Sequence, residues 1–179
     1  DTVRINDVAI EIEAALAFGT GHHGTTSGCL LALDAELRKR RPRNAIDVGT
    51  GTGILALALA KQIKRKVVAG DIDAVAVEVA ARNARLNNAP QALDLYVAPG
   101  LRHAKANRSR RFDLVFANIL AGPLRKLAPS IAAVLSDDGV VILSGLLEMD
   151  VAGVVSAYRH QGIALARRSS REGWATLVM

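Results

Sequence analysis

The chain has 179 residues, of which 50% are apolar and only 3% are aromatic. This length predicts one domain with an aliphatic core, and the apolar content excludes an intrinsically disordered chain. No apolar run reaches the roughly 18 residues that a membrane span needs, and the single cysteine, Cys29, excludes an internal disulfide and a cysteine-based zinc site. We therefore expect a soluble protein, and a free cysteine is typical of the reducing cytoplasm.

Two Arg-rich clusters, residues 38–43 and 102–111, contribute strongly to the formal net charge of +6. Such clusters attract nucleic acid, an acidic protein surface or a ribosomal particle. Solvated surface loops explain the same clusters equally well, so both interpretations stay open.

The predicted elements begin with an extended segment. Residues 1–17 place apolar side chains at alternate positions, which predicts an N-terminal ribbon or linker, and residues 18–179 are expected to form the compact domain. Within that domain, residues 25–39 carry leucines at helical spacing and predict a helix.

The next part of the chain repeats a strand followed by a helix. A glycine turn, residues 49–53, separates the first such strand from its helix, and Asp71 closes the second strand. The predicted elements are strand 45–48, helix 54–63, strand 66–70 and a helix with Val75, Val79 and Leu86 on its apolar face.

The remaining elements end in two strands with no helix between them. Successive strand-helix units require parallel strands, whereas two strands joined by a few residues form an antiparallel hairpin. The sequence therefore predicts an α/β, doubly wound sheet that is mostly parallel with an antiparallel C-terminal strand. The elements are strands 92–97 and 112–117, a helical stripe of Leu124, Leu127, Ile131 and Leu135, strand 140–143, helix 147–160, and strands 162–167 and 174–179.

The glycine turn is the first candidate site. It reads Gly-Thr-Gly-Thr-Gly, whereas the dinucleotide fingerprint is G-x-G-x-x-G and has its third glycine one position later. This difference in spacing disfavours a pyrophosphate cofactor. Asp71, after the second strand, can accept hydrogen bonds from both ribose hydroxyls of a nucleoside held over this turn. A turn that only packs a helix on a strand is the simpler alternative. Asp47 either orients the turn or reaches a cofactor ammonium group, and Asp73 is expected to cap the next helix.

With an acidic residue before the glycine turn and another after the second strand, the chain resembles class I S-adenosylmethionine-dependent methyltransferases. Two further segments, residues 17–26 (AFGTGHHGTT) and 117–124 (ANILAGPL), look like the signature loops of the ribosomal protein L-eleven methyltransferases, the PrmA family. Residues 143–147 (LSGLL) and Trp174 also fit, so the resemblance covers nearly the whole chain.

The resemblance implies a Rossmann-like catalytic domain that transfers methyl groups from S-adenosylmethionine to lysine ε-amines, the N-terminal α-amine, or both, of a large-subunit ribosomal protein in the cytoplasm. The residues themselves disfavour a metal site, because His22 and His23 are adjacent and His103 and His160 lie in unrelated segments. The resemblance also implies that residues 18–179 are the catalytic domain, since the family's N-terminal substrate-binding domain has no counterpart here. The chain departs from the family pattern at Gly24, where proline is usual. The residues that the resemblance assigns to the cofactor are Thr26, Gly49, Gly51, Asp71 and Asn118, and Asn118 is also expected to aim the acceptor amine.

Alternatives to this function remain. The residues after Asn118 are Ile119, Leu120 and Ala121, so the aromatic residue that enzymes acting on nucleobases stack against their substrate is missing. An aliphatic amine is therefore the better acceptor. An RNA methyltransferase that uses the basic clusters and a non-catalytic cofactor- or RNA-binding module are the competing hypotheses. For the protein methyltransferase itself, a weak contact with ribosomal RNA is a further expectation.

Overall fold

The computed structural model describes residues 9–12, 23–107 and 111–179. Most of the predicted N-terminal ribbon, residues 17–22 of the first signature segment and residues 108–110 of the second basic cluster lie outside the described residues. Within 9–12, the backbone of Glu11 exchanges two hydrogen bonds with the side chain of Asn87.

Helices and strands alternate along the described chain as the sequence predicts. The helices are α1 (His23–Leu37), α2 (Ile54–Ile63), α3 (Ala74–Leu86), α4 (Ala121–Val134) and α5 (Val151–Arg159), with one 3-10 turn at Glu148–Asp150. The strands are β1 (Ala45–Val48), β2 (Val67–Asp71), β3 (Leu93–Val97), β4 (Phe112–Asn118), β5 (Leu135–Leu147), β6 (Arg167–Arg171) and β7 (Trp174–Val178).

The strands form one sheet in the order β3-β2-β1-β4-β5-β7-β6. Strands β1 to β5 run parallel to one another, whereas β7 is antiparallel to both β5 and β6. The predicted doubly wound sheet with an antiparallel C-terminal end is therefore confirmed. The strand order reverses between β1 and β4, and ligands of such sheets bind at the carboxyl ends of the strands beside this switch point.

The core consists of two apolar layers, one on each face of the sheet. Helices α1, α2 and α3 cover one face, and α4 and α5 cover the other. Neighbouring residues of β4 alternate between the layers: Leu114 and Phe116 pack under α1 and α2, while Val115 and Ala117 face α4. Cys29 is fully buried on α1, in agreement with its predicted role as a small core residue.

The predicted apolar face of α3 is partly wrong. Val79 is buried, but Val75 and Leu86 are 55% and 44% exposed. The buried stripe consists of small residues instead, because α3 packs closely on the glycine turn: a Cβ at Gly53 would lie 3.0 Å from the Ala80 Cβ. Larger side chains therefore point outward.

The C-terminal boundaries also differ from the predicted ones. The predicted strand 162–167 is wrong, since only its last residue belongs to a strand, β6, which continues to Arg171. The alternation of apolar residues predicts a strand here, but Ile163 and Leu165 pack on the core without strand pairing. The residues of β6 are polar, and this strand is held in the sheet by its backbone pairing with β7. Leu135 begins β5 rather than ending the α4 stripe, and the predicted helix 147–160 begins as the 3-10 turn.

No helix in the described ranges is long and apolar enough to cross a membrane.

Candidate functional site

The glycine turn connects β1 to α2 at the carboxyl edge of the sheet. Gly49, Gly51 and Gly53 all have positive φ, at 75°, 53° and 82°. The amide nitrogens of Gly49 and Thr50 donate to the Gly70 carbonyl oxygen at 2.8 and 3.0 Å, which ties the turn to β2. The turn therefore presents backbone at a defined place between two strand ends.

Gly49 also allows a close approach to the end of β4. A Cβ at this position would lie 2.4 Å from Cγ2 of Ile119, far inside van der Waals contact. Because φ at Gly49 is also in the left-handed region, a larger residue would meet both strain and a clash. Glycine here thus brings the turn against the residue that follows Asn118.

Asp71, the last residue of β2, fastens the glycine turn through its carboxylate. Its Oδ2 accepts a hydrogen bond from the Gly51 amide at 2.9 Å, and its Oδ1 accepts one from the Asp73 amide at 3.1 Å. Each oxygen keeps a further lone pair, so the half-buried carboxylate can still accept hydrogen bonds from a ligand. The contact with Gly51 was not predicted from the sequence.

The neighbouring Asp73 plays the predicted structural part. Its side chain accepts a hydrogen bond from the Val75 amide at 2.8 Å and caps α3. Their hydrogen bonds therefore give the two acidic residues different roles: Asp71 holds the glycine turn, and Asp73 caps α3.

Asp47 lies beneath the turn and is 1% exposed. Its Oδ2 accepts a hydrogen bond from the Thr50 hydroxyl at 2.7 Å, while Oδ1 is buried and has no hydrogen-bond partner among the described residues. Burial, assisted by the nearby Asp71 carboxylate, raises the pKa of Asp47 to about 7. Of the two, Asp71 is therefore the accessible carboxylate at this edge of the sheet, and Asp47 is a buried support of the turn.

Asn118 ends β4 beside the glycine turn. Its Nδ2 donates a hydrogen bond to Oγ1 of Thr25 at 3.4 Å, at the beginning of α1. Thr25 is 3% exposed, and the predicted contact residue Thr26 is half-buried next to it. Sequence reasoning selected Thr26 and missed Thr25, although both belong to the same quoted segment.

The predicted site residues therefore gather at one edge of the sheet. Asp71 contacts Gly51 directly, Asn118 contacts the start of α1, and Ile119 packs where Gly49 leaves space. Thr26 lies at the same helix start, with no hydrogen bond joining it to the other predicted residues in the described part of the chain.

The described residues include no group of three or more His, Cys, Asp or Glu side chains that could hold a metal ion. His103 stacks on Tyr96 with ring centroids 5.0 Å apart, and Nδ1 of His160 hydrogen-bonds the Ser156 carbonyl oxygen. The side chains of the adjacent pair His22 and His23 lie outside what the structure describes.

The sequence matches a family model along its whole length. That model, described as ribosomal protein L11 methyltransferase (PrmA), covers residues 1–179. The chain belongs to this family. Two relatives named ribosomal protein L11 methyltransferase are similar to it: one from Mesorhizobium japonicum is 52% identical over 171 residues, and one from Bradyrhizobium diazoefficiens is 51% identical over 179 residues.

The matches cover the relatives unequally. The aligned region is 96% and 100% of this chain but 59% and 61% of those two relatives, so the chain spans about three fifths of their length. A crystal structure of a ribosomal protein L11 methylase from Lactobacillus delbrueckii subsp. bulgaricus is 31% identical with a TM-score of 0.80, covering 88% of this chain and 79% of that one. A methyltransferase structure from Pyrococcus furiosus, 20% identical, shares the fold with a TM-score of 0.71 over 94% of this chain and 87% of its own.

Gly24, where the family pattern usually has proline, is closely surrounded by neighbouring atoms. It is buried at the start of α1, and a Cβ there would lie 3.0 Å from the Arg171 carbonyl oxygen and 3.1 Å from Oε2 of Glu172. In this member of the family, the absence of a side chain lets the turn between β6 and β7 approach the beginning of α1.

Proposed function

We propose that this chain acts as the catalytic domain of an S-adenosylmethionine-dependent protein N-methyltransferase, with residues 18–179 as that domain. The observation that carries the proposal is the Asp71 carboxylate, hydrogen-bonded to the Gly51 amide and placed two strands away from Asn118 on the same edge of the sheet. The printed names of the relatives supply the substrate class, ribosomal protein L11, and such a substrate favours a cytoplasmic enzyme.

The site has the properties that S-adenosylmethionine requires. The cofactor carries a ribose, a positively charged sulfonium and an ammonium group, and it supplies an electrophilic methyl group when bound. Asp71 offers carboxylate oxygens to the ribose hydroxyls, and the turn from Gly49 to Gly51 offers approachable backbone. Asp47 lies buried beneath this turn, where its Oδ2 accepts the Thr50 hydroxyl and so holds the turn in place from below.

Asn118 is suited to aim the acceptor amine. Since its Nδ2 donates to Thr25, its Oδ1 is turned away from that contact and is available to accept an amine N–H. A neutral amide holds an amine without favouring its charged form as a carboxylate would. Asn118 is therefore the proposed catalytic residue, and Thr26, Gly49, Gly51 and Asp71 join it as proposed cofactor contacts.

The amine must be neutral before it can attack. A lysine ε-amine with a reference pKa of about 10.4 costs roughly 4 to 5 kcal/mol to deprotonate at neutral pH, whereas an α-amine near 7.8 costs about 1 kcal/mol. The sulfonium of the bound cofactor would disfavour a second cation beside it and lower this cost for lysine. The chain's own contribution is orientation, because methyl transfer from a sulfonium needs in-line alignment above all.

A labelling experiment tests this function. The purified chain is incubated with methyl-labelled S-adenosylmethionine and either ribosomal protein L11 or ribosomal RNA, and Asn118→Ala serves as the matched control. Label on lysine ε-amines or the α-amine of the protein, lost in the variant, is the expected result. Label in RNA, or cofactor binding with no transfer to either substrate, would instead support an RNA methyltransferase or a non-catalytic module.

A further inference from the structure

The amino ends of the parallel strands carry basic side chains, on the opposite edge of the sheet from the candidate site. Strands β1 and β2 pair in parallel, with Ile46 opposite Val68, so the segments that enter them, residues 41–44 and 64–66, run side by side at about the 4.8 Å spacing of strands. Arg41 and Ile63 line one groove between the ends of α1 and α2, which joins these two segments.

Part of the surrounding charge is already neutralised. Arg38 pairs with Asp34 at 2.9 Å and Lys39 pairs with Glu36 at 2.9 Å, both within α1 and the turn after it. Arg111, before β4, pairs with Asp137 at 3.0 Å. The first two pairs therefore neutralise charge at the end of α1, and the third neutralises Arg111 beside β4 and β5.

The segments before β1 and β2 are different. Their basic side chains are exposed and make no ion pair or hydrogen bond within residues 23–107 and 111–179. We call these residues the amino-edge basic surface: Arg41, Arg43, Lys64, Arg65 and Lys66.

The residue types on this surface favour one class of partner. None of the large apolar residues found exposed in the described chain belongs to it, so it has nothing to insert into a bilayer. It also has no aromatic residue on which an unpaired base could stack. Three arginines and two lysines, all exposed, match a phosphate backbone, which arginine binds through paired N–H groups.

We propose that the amino-edge basic surface binds the phosphate backbone of duplex RNA, independently of sequence. The choice of RNA over DNA rests on the proposed function, since a ribosomal protein is an RNA-binding substrate. Strand β4 has seven residues, a length of about 23 Å, so RNA on this surface lies well away from Asn118. The surface tethers the enzyme near RNA and does not present RNA for methylation.

The test compares two variants that remove the same number of charges. Arg41→Gln/Arg43→Gln/Arg65→Gln/Lys66→Gln removes four of the five positive charges of the surface, and Arg82→Gln/Arg85→Gln/Arg125→Gln/Lys126→Gln neutralises four exposed residues on α3 and α4. Each changes three arginines and one lysine and lowers the formal net charge from +6 to +2. Binding of a 20-base-pair RNA duplex is followed by fluorescence anisotropy across a salt series, with the matching DNA duplex and poly-glutamate as competitors.

We expect the surface variant to bind RNA about tenfold or more weakly and with a shallower salt dependence, while the α3/α4 variant stays within about threefold of the unmodified chain. Equal weakening in both variants would overturn the proposal, as would poly-glutamate competing as well as RNA at equal charge, or a more than tenfold preference for DNA. Calorimetry with S-adenosylmethionine on the same samples separates the two proposals. If the chain binds RNA through this surface but binds no cofactor, only the proposed function fails.

Discussion

The two edges of the sheet differ in how their charges are held. At the carboxyl edge, the carboxylates of Asp47 and Asp71 are fixed by hydrogen bonds to Thr50 and Gly51. At the amino edge, the basic side chains before β1 and β2 extend into solvent without partners in the described chain. At the carboxyl edge, these strands thus end in one buried and one half-buried carboxylate that are fixed by hydrogen bonds, whereas at the amino edge they begin from exposed basic side chains.

This difference matches the ligands proposed for the two edges. A small ligand that reacts at one atom requires donors and acceptors held in place, and buried hydrogen bonds provide that order. A phosphate backbone is a regular array of charges, so exposed side chains can follow it without fixed geometry. The contrast leads to separate predictions about rigidity, catalysis and charge.

The close packing at the carboxyl edge can be disrupted by a substitution at Gly145, in β5. Its φ is +80°, and a Cβ there would lie 2.6 Å from the Ile119 carbonyl oxygen and 2.8 Å from the Ile119 carbonyl carbon. Gly145→Ala should lower the free energy of unfolding by about 3 kcal/mol or more, because the backbone next to Asn118 has to move. Urea unfolding measures it.

Gly162→Ala is the matched control for this substitution. Gly162 has the same φ of +80°, but no atom lies within 4 Å of its added Cβ, so only the left-handed strain of about 1 to 2 kcal/mol remains. Equal losses of stability in the two variants would show that contact with Ile119 does not constrain this edge.

The catalytic part of the comparison depends on Asn118. Asn118→Ala should lower the maximal rate of methyl transfer roughly a hundredfold, about 2.7 kcal/mol, while the dissociation constant of the cofactor changes by less than tenfold. Single-turnover kinetics at saturating cofactor, on variants checked by circular dichroism, isolates this step. Asn118→Asp should also slow transfer, because a carboxylate stabilises the ammonium form of the substrate. A near-normal rate in Asn118→Ala would make Asn118 a turn residue only.

The protonation of Asp47 at the carboxyl edge can be tested by measuring stability as a function of pH. The pKa of Asp47 in the folded chain is about 7, above its ordinary value of 3.8, so folding retains a proton that the unfolded chain loses. The free energy of unfolding must then fall as pH rises from about 4 to 7. Asp47→Asn cannot ionise, so over this window it should lose less stability than the unmodified chain, by about 2 kcal/mol. Parallel stability profiles for the two proteins would show that Asp47 titrates normally.

The order of elements could be predicted because each signal is local. The apolar strand 45–48, the glycine turn and the helix 54–63 read directly from the sequence, and the structure places them at the predicted residues. The cap of α3 at Asp73 is equally local, since it depends on residues two positions apart. Fold and family therefore followed from short segments and their spacing.

Contacts between distant segments could not be predicted in the same way. The apolar character of Val75 predicts a buried position, but α3 approaches Gly53 closely at Ala80, and Val75 points to the exposed side of the helix. The hydrogen bond between Asn118 and Thr25 joins residues 93 positions apart, and no pattern along the chain distinguishes Thr25 from Thr26. Pairing in β6, whose side chains are polar, depends on β7 and not on its own sequence.

Binding of S-adenosylmethionine, measured by titration calorimetry, tests the central claim most directly. The unmodified chain should bind the cofactor, and Asp71→Ala should bind it about 1.5 to 3 kcal/mol more weakly, the range for hydrogen bonds to a charged group. Asp73→Ala removes a carboxylate two residues away that caps α3, and it should retain the affinity within about threefold despite a loss of about 1 kcal/mol in stability. Unchanged affinity in folded Asp71→Ala, or no binding to the unmodified chain, would contradict a cofactor site built on Asp71.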